Sequence, residues 1–188
     1  MFRFLPSAGL VTIVTIGLLV SPTTVTTQAG KTPPKPTLII ETAKGNIEVE
    51  LVDDAPTSVA HITALANSGF YRGQRFHWVQ PGVIQFGDPL SRDLTKSSEW
   101  GSGGSGPRMT NKPLGVAELS KKPFPRGTVG LAYRVGSKPE NADSQIFILT
   151  APNPNMNGKY VQIGKISKGL NIADKIEARD VIKSVTVR

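Results

Sequence analysis

The chain has 188 residues, a formal net charge of +8 at neutral pH and no cysteine. This length allows one globular domain, and the absence of cysteine excludes disulfides, thiolate nucleophiles and thiolate metal ligands. The lysines and arginines are scattered without a continuous basic run, so the charge favours a solvated basic surface over a nucleic-acid-binding site.

The N-terminal segment has the pattern of a secretory signal. Arg3 supplies a positive start, residues 8–20 form an apolar run dotted with threonine, and residues 27–29 offer small side chains for cleavage. The apolar run is shorter than the ~20 residues that a membrane-spanning helix needs, and an uncleaved anchor is the alternative. We therefore predict an exported protein, periplasmic or extracellular, with a signal peptide at 1–29 and a proline-rich linker at 30–36.

The next part of the chain carries two strand patterns and a helix pattern. Residues 37–42 are rich in β-forming side chains, and residues 46–51 alternate apolar and charged side chains, which is typical of a half-buried strand. A lysine–glycine pair between them predicts a hairpin. Pro56 then opens a helix, with Asp54 as its cap and Gly69 at its end.

A short hairpin and a long irregular segment follow. Residues 76–88 indicate two short strands joined at Pro81 and Gly82, whereas residues 90–125 hold most of the turn-forming residues. The run Gly-Ser-Gly-Gly-Ser-Gly at 101–106 fits the spacing of a phosphate-binding loop. That motif needs a strand before it and a helix after it, and the sequence predicts neither, so we interpret the run as a flexible loop.

The last part of the chain again has mostly strand patterns. Three β-like runs at 128–133, 145–150 and 160–166 precede a short helix at 169–178 and a final alternating run at 181–187. We therefore predict a mainly β fold with two helices, a closed eight-stranded antiparallel β-barrel with the helices at its ends.

The hairpin segment also carries a family resemblance. Its sequence, Phe-His-Trp-Val-Gln-Pro-Gly-Val-Ile-Gln-Phe-Gly-Asp at 76–88, resembles the signature of the cyclophilin-type peptidyl-prolyl isomerases, roughly Phe-His-Arg-Val-Ile-Pro-Gly-Phe-Met-Ile-Gln-Gly-Gly-Asp. Further stretches follow in family order: Ala-Pro-Thr-Ser-Val at 55–59, Gly-Phe-Tyr-Arg-Gly at 69–73, Gly-Thr-Val-Gly-Leu-Ala at 127–132, Asn-Ala-Asp-Ser-Gln-Ile-Phe-Ile at 141–148 and Asn-Met-Asn-Gly-Lys-Tyr-Val-Gln-Ile-Gly at 155–164. The resemblance implies a cyclophilin-like domain over residues 37–188.

The resemblance implies an enzyme that accelerates rotation about the peptide bond before proline, whose barrier is ~18–20 kcal/mol. Such a catalyst makes no covalent bond. It holds the proline ring in an apolar pocket and stabilises the twisted amide through hydrogen bonds. We expect proline-containing segments of unfolded or client proteins as partners, a monomer, no nucleic acid and no cofactor. We also expect no metal site, because neither His61 nor His77 has a matched partner at ligand spacing.

Mapped by position, the resemblance implies most of the pocket. Phe147 falls on the family's proline-ring platform, Gln85 on the glutamine that binds substrate backbone, and Tyr160 on a histidine position. With the residue at the arginine position, the implied catalytic set is Trp78, Gln85, Phe147 and Tyr160. The implied substrate-binding set is Val83, its neighbour Ile84 as the alternative at the apolar methionine position, Ala132, Tyr133, Asn155 and Met156.

Three departures from the family pattern predict reduced activity. Trp78 replaces the catalytic arginine and offers one neutral donor in place of a charged one. One residue is missing after Gly82, which removes an aromatic wall, and Asn155 replaces a tryptophan at the rim, from which we expect poor binding of cyclosporin-type ligands. Arg134, beside the expected groove, is the candidate to take over the donor role, whereas Arg75 points to the opposite strand face.

Three functions follow from these observations. The first, which we favour, is a slow peptidyl-prolyl isomerase that assists the folding of exported proline-containing proteins. The second is a non-catalytic proline-peptide-binding chaperone that keeps the groove. The third is a scaffold that binds partners through the long irregular segment at 90–125.

Overall fold

The computed structural model describes residues 35–188, so the predicted signal peptide at 1–29 and most of the predicted linker at 30–36 lie outside the described residues. Within this range the strands are β1 Thr37–Thr42, β2 Gly45–Leu51, β3 Trp78–Gln80, β4 Val83–Phe86, β5 Thr128–Leu131, β6 Ile146–Leu149, β7 Gln162–Lys168 and β8 Ile182–Val187. The α-helices are α1 Pro56–Asn67 and α2 Leu170–Ala173. Short 3-10 helices lie at Pro89–Arg92, Leu94–Glu99, Pro107–Met109, Pro139–Asn141 and Pro154–Met156.

The strands form one curled antiparallel sheet in the order β3-β4-β6-β5-β7-β2-β1-β8. The eight antiparallel strands agree with the prediction, but the closed barrel is not confirmed. Within residues 35–188 the edge strands β3 and β8 share no ladder. The segments that precede them meet at a single bridge between Arg75 and Val181, supported by a 2.8 Å hydrogen bond from the Ile182 amide to the Gln74 carbonyl. The sheet is therefore a half-barrel that is open between these edges.

Alternation along the strands creates two apolar clusters. One face of β6 places Ile146 and Ile148 in the main core with most buried residues of β1 and β2. The other face places Phe147 and Leu149 in a second, smaller cluster. Because successive side chains of a strand point to opposite faces, a strand buried on both faces is continuously apolar, as Ile-Phe-Ile-Leu is here. The second cluster underlies the functional site.

Helix α1 begins at Pro56 as predicted, but the predicted cap is wrong. The residue before the helix is Ala55, which provides no side-chain cap, and the Asp54 carboxylate instead pairs with the Lys122 ammonium at 2.8 Å. The free amides of the first turn donate to the Glu118 carboxylate, which the long irregular segment brings to the helix. Sequence reasoning favoured the adjacent acid, whereas the fold uses one that is distant in the chain.

The second helix is shorter than predicted. It covers only Leu170–Ala173 of the predicted range 169–178, and turns follow it. Gly169 precedes it with φ of 82°, and a Cβ there would lie 2.2 Å from the Asn46 carbonyl oxygen, so close packing against β2 determines where this helix starts. No helix within residues 35–188 combines the length and apolar character needed to cross a bilayer.

Candidate functional site

A cavity of about 790 Å³ lies beside β3, β4, β5 and β6. Its lining includes eight of the residues that the sequence predicted for the site: Trp78, Val83, Gln85, Ala132, Tyr133, Phe147, Met156 and Tyr160. Two predicted residues do not line it. Ile84 is only 2% exposed and packs in the main core, because it follows Val83 in the strand and points to the opposite face. Asn155 is exposed on a short 3-10 helix outside the lining.

The strand register brings the central site residues into one row. Trp78 pairs with Gln85 across β3 and β4, Gln85 pairs with Phe147 across β4 and β6, and Phe147 pairs with Gly130 across β6 and β5. Neighbouring strands lie about 4.8 Å apart, so Trp78 and Phe147 are separated by about 10 Å along the sheet, with Gln85 between them. The row places an amide side chain between an indole and a phenyl ring.

Gly130 makes room for the Phe147 ring. A Cβ at this position would lie 2.5 Å from Cζ of Phe147 and 2.6 Å from the Val161 carbonyl oxygen, which is closer than atoms in proteins approach. The absent side chain therefore allows the phenyl ring to lie against the backbone of β5.

The cavity floor is aromatic. Phe147 is 2% exposed, and its ring meets that of Tyr160 edge-to-face with 5.5 Å between centroids. Tyr133 lies next to Tyr160 at 4.8 Å, and burial, followed by the neighbouring Tyr160, raises the pKa of Tyr133. The phenol of Tyr133 is therefore neutral at ordinary pH. Met156 and Val83 pack against the same cluster. This arrangement suits a flat apolar ring, which gains contact energy without a polar partner.

Gln85 is held by a relay that sequence reasoning missed. Its Nε2 donates to Oε1 of Gln145 at 2.8 Å, and Nε2 of Gln145 donates to the carbonyl oxygens of Gly101 at 3.0 Å and Gly103 at 2.8 Å. No hydrogen bond within residues 35–188 uses the Gln85 amide oxygen, which is available to a backbone N–H of a ligand. The signal for Gln145 was its place two residues before Phe147, because alternate residues of a strand share a face.

The glycine-rich run at 101–106 is anchored, so its interpretation as a flexible loop is wrong. The amides of Gly101 and Gly103 donate to the fully buried Asp88, and a Cβ on Gly103 would lie 2.2 Å from Oδ1 of that carboxylate. The amide of Ser105 donates to Asp143 at 2.6 Å. Carboxylates of the chain itself accept these hydrogen bonds, so the amides of Gly101, Gly103 and Ser105 are not available to a phosphate. The run is anchored, and its first two residues, Gly101 and Ser102, line the cavity.

Asp143 joins three separate parts of the structure. Its buried carboxylate accepts hydrogen bonds from Nε2 of His61 on α1 at 3.0 Å, from Ser105 and from the amide of Lys112 at 2.8 Å. Burial by itself would raise the pKa of Asp143, but the hydrogen bonds from His61, Ser105 and Lys112 outweigh it and lower the pKa. The carboxylate is therefore ionised, and because its two oxygens accept four hydrogen bonds from the chain, it has no acceptor position left for a ligand.

The residue at the arginine position is accessible. Trp78 lines the cavity and is 45% exposed, and its indole N–H makes no hydrogen bond within residues 35–188. Arg134 lines the cavity as well, just beyond β5. Arg75 is directed away, because its Nη1 donates to the Arg179 carbonyl at 3.1 Å. The structure thus leaves one neutral donor, Trp78, next to Gln85.

His77 lines the cavity but does not have the properties of a proton carrier. Both ring nitrogens are buried without a hydrogen-bond partner within residues 35–188. Burial lowers the pKa of His77, and the opposing attraction of the negatively charged Asp88 carboxylate is smaller. The ring is therefore neutral at ordinary pH. Within residues 35–188 no group of three metal-ligating side chains comes together.

Comparisons with known proteins give a consistent result. The family model described as "Cyclophilin type peptidyl-prolyl cis-trans isomerase/CLD" matches residues 37–188. A probable peptidyl-prolyl cis-trans isomerase from Brucella suis is 40% identical over 149 residues, which are 77% of this chain and 72% of that protein. Peptidyl-prolyl cis-trans isomerase B from Bacillus subtilis is 34% identical over 142 residues, 75% of this chain and 90% of that protein.

Solved structures show the same fold. A cyclophilin type peptidyl-prolyl cis-trans isomerase from Cryptosporidium parvum superposes with a TM-score of 0.66 at 24% identity, covering 81% of this chain and 96% of that one. A cyclophilin from Hirschia baltica superposes with a TM-score of 0.60 at 20% identity, covering 81% of this chain and 74% of that one. The architecture is therefore shared at low sequence identity.

Proposed function

Because the chain belongs to the cyclophilin-type peptidyl-prolyl cis-trans isomerase family, which catalyses proline cis-trans isomerisation, we propose that it isomerises proline-containing segments of exported proteins at a reduced rate. The observation that carries the proposal is the row across β3, β4 and β6, in which Trp78, Gln85 and Phe147 face one cavity.

Each residue of the row has a distinct physical task in the proposed reaction. The proline ring packs on Phe147, with Tyr160 and Met156 at its sides, and the Gln85 amide oxygen accepts a backbone N–H of the substrate. This grip fixes one side of the rotating bond. Rotation breaks amide resonance and makes the prolyl nitrogen a hydrogen-bond acceptor, so a donor beside it stabilises the twisted state more than the planar one. In this cavity that donor is the indole N–H of Trp78.

The reduced rate follows from the nature of this donor. A charge-assisted hydrogen bond is roughly twice as strong as a neutral one. If the transition state loses about 2–3 kcal/mol when indole replaces guanidinium, the rate falls by roughly 30- to 150-fold. The same substitution favours a second candidate function, a non-catalytic proline-peptide-binding chaperone, because the aromatic floor and Gln85 remain while the charge is absent.

The decisive experiment is a protease-free isomerisation assay on an Ala-Pro peptide with three forms of the protein. We expect slow turnover by the wild type, at least tenfold faster turnover by Trp78→Arg, and slower turnover by Trp78→Phe, which keeps the ring but removes the N–H. A wild type that binds the peptide without turning it over supports the chaperone function. Failure of all three forms to bind or turn over any proline peptide contradicts the proposal.

We also propose that the protein acts outside the cytoplasm. The supporting observation is the sequence of residues 1–29, with a basic start, an apolar run and small residues at the end. Mass spectrometry of the protein recovered from a secreting bacterial host is expected to give a mature chain that begins at Gly30. A full-length mass in the cytoplasmic fraction would contradict export, and a full-length mass in the membrane fraction would indicate an uncleaved anchor.

A further inference from the structure

Arg134 stands out among the charged side chains that line the cavity. Among the described residues the other charged side chain of the lining is Asp143, whose carboxylate already accepts hydrogen bonds from His61, Ser105 and Lys112. Arg134 is exposed, and its guanidinium forms no ion pair or hydrogen bond within residues 35–188. Arg134 is therefore the charged group of this lining that is free to pair with a bound peptide.

Most charged side chains at the rim of the cavity, meaning the exposed residues next in sequence to its lining, are positive like Arg134. Lys112, Lys138 and Lys159 are exposed, and each is the neighbour in sequence of a residue that lines the cavity. None of the three forms an ion pair within the described part of the chain. By the same measure the opposing charges are Glu140, next to the lining residue Asn141, and Glu99, next to the lining residue Trp100. Together with Arg134 and Asp143, these side chains give four positive and three negative charges, so the described residues at and beside the cavity lining are net positive.

The sheet places Arg134 away from the rotating bond. The amide of Ala132 donates to the Gln145 carbonyl at 2.9 Å, which continues the β5–β6 pairing past the end of β5, and a turn closed by the Ser137 amide on the Arg134 carbonyl at 2.9 Å follows. Trp78 lies three strands from β5, about 14 Å along the sheet. Arg134 is thus on the β5 side of Phe147, where it meets residues that flank proline.

We propose that Arg134 makes the cavity select proline segments that carry a carboxylate close to the proline. A guanidinium is planar, permanently charged and shaped to bind a carboxylate with two hydrogen bonds, so an acidic side chain beside the proline supplies the partner that Arg134 lacks within residues 35–188. This inference rests on the proposed function, because it names the class of substrate that the same cavity prefers.

The test compares kcat/KM and binding for matched peptides that carry Glu or Gln on either side of Ala-Pro. An exposed ion pair contributes at most about fivefold, so we expect the wild type to prefer Glu over Gln by about two- to fivefold at low salt on one side of the proline, with the preference lost at high salt. In Arg134→Ala the Glu/Gln ratio falls to about one, whereas Arg134→Lys keeps part of the preference. Lys183→Ala removes a charge from β8, outside the cavity, and keeps the wild-type ratio.

The outcomes separate the inference from the proposed function. A wild-type ratio near one, or an unchanged ratio in Arg134→Ala, overturns the inference while turnover continues. An equal loss of turnover for both peptides in Arg134→Ala also overturns it, and shows instead that this guanidinium acts on the rotating amide. A further peptide pair, one with a free C-terminal carboxylate and one with a C-terminal amide, tests whether Arg134 binds a terminal carboxylate as well as an acidic side chain. Absence of binding and turnover for every peptide overturns the proposed function itself.

Discussion

At the scale of single residues, the site depends on Gly130, whose lack of a side chain leaves room for the Phe147 ring. Gly130 is opposite Phe147 in the register, and a Cβ there would collide with the phenyl ring at 2.5 Å. We expect Gly130→Ala to displace the ring, to destabilise the fold by about 1–3 kcal/mol as other overpacked sites do, and to weaken proline-peptide binding. Urea unfolding and peptide titration measure the two effects.

Gly136→Ala is the matched control for this substitution. Gly136 has φ of 79°, and a Cβ added there would meet no atom within 4 Å, so its substitution adds backbone strain without a collision. Such strain costs about 1–2 kcal/mol. We expect Gly136→Ala to lower stability but to leave the ring of Phe147 in place. Equal peptide binding by wild type and Gly130→Ala would show that the position of the phenyl ring does not determine affinity.

At the scale of elements, helix α1 depends on a carboxylate from another segment. Burial by itself would raise the pKa of Glu118, but hydrogen bonds from the amides and hydroxyl at Thr57 and Ser58 outweigh it and lower the pKa. We expect Glu118→Gln to lower the free energy of unfolding by about 1–2 kcal/mol at pH 7, because it weakens the cap. Glu177→Gln, at an exposed ion pair with Lys44, is the control and costs less than about 0.5 kcal/mol.

The pH dependence of the stability difference between wild type and Glu118→Gln tests whether the charge of Glu118 causes it. A carboxyl whose pKa is lower in the folded state stabilises the fold above its unfolded value, and that contribution is lost as the pH falls through the folded pKa. The stability difference between wild type and Glu118→Gln should therefore shrink below pH 4.5, the ordinary value for this side chain. A difference that is constant down to pH 3 would indicate that charge at Glu118 does not matter.

The elements also show how far sequence reasoning reaches. Periodicity and turn residues located the strands because alternation is a local property, and the family resemblance placed Phe147 and Gln85 on one cavity. Local patterns were insufficient where distant contacts decide the structure. Glu118 caps a helix about 60 residues earlier in the chain, and the glycine-rich run is fixed by Asp88 and Asp143, which no local signal connects to it.

Local sequence patterns also could not decide whether Val83 or Ile84 lines the cavity. The missing residue after Gly82 left the strand register open in the sequence, and a shift of one position exchanges the two faces. The pairing of Gln80 with Val83 resolves it, since Val83 faces the cavity and Ile84 the core.

At the scale of the whole molecule, several groups have a lower pKa in the folded state, and each of them makes the protein less stable as the pH falls. Burial lowers the pKa of His77 from 6.5, and hydrogen bonds lower that of Asp143 from 3.8 against the effect of its burial. In both cases the unfolded chain binds the proton more readily than the folded one. Stability from these groups is therefore present above the unfolded pKa and is lost as the pH falls through the folded pKa.

These signs predict a two-stage loss of stability in acid. Urea unfolding should give a plateau above pH 7, a shallow decline from pH 6.5 as the His77 site resists protonation, and a steep decline below pH 4 as Asp143 and Glu118 are neutralised. Each proton taken up on unfolding contributes a slope of about 1.4 kcal/mol per pH unit. His77→Phe should remove the shallow decline and keep the steep one, because phenylalanine fills the same space without a titrating group. If the free energy of unfolding of the wild type stayed constant down to pH 3, the fold would not lower the pKa of His77 or of Asp143, which contradicts this prediction.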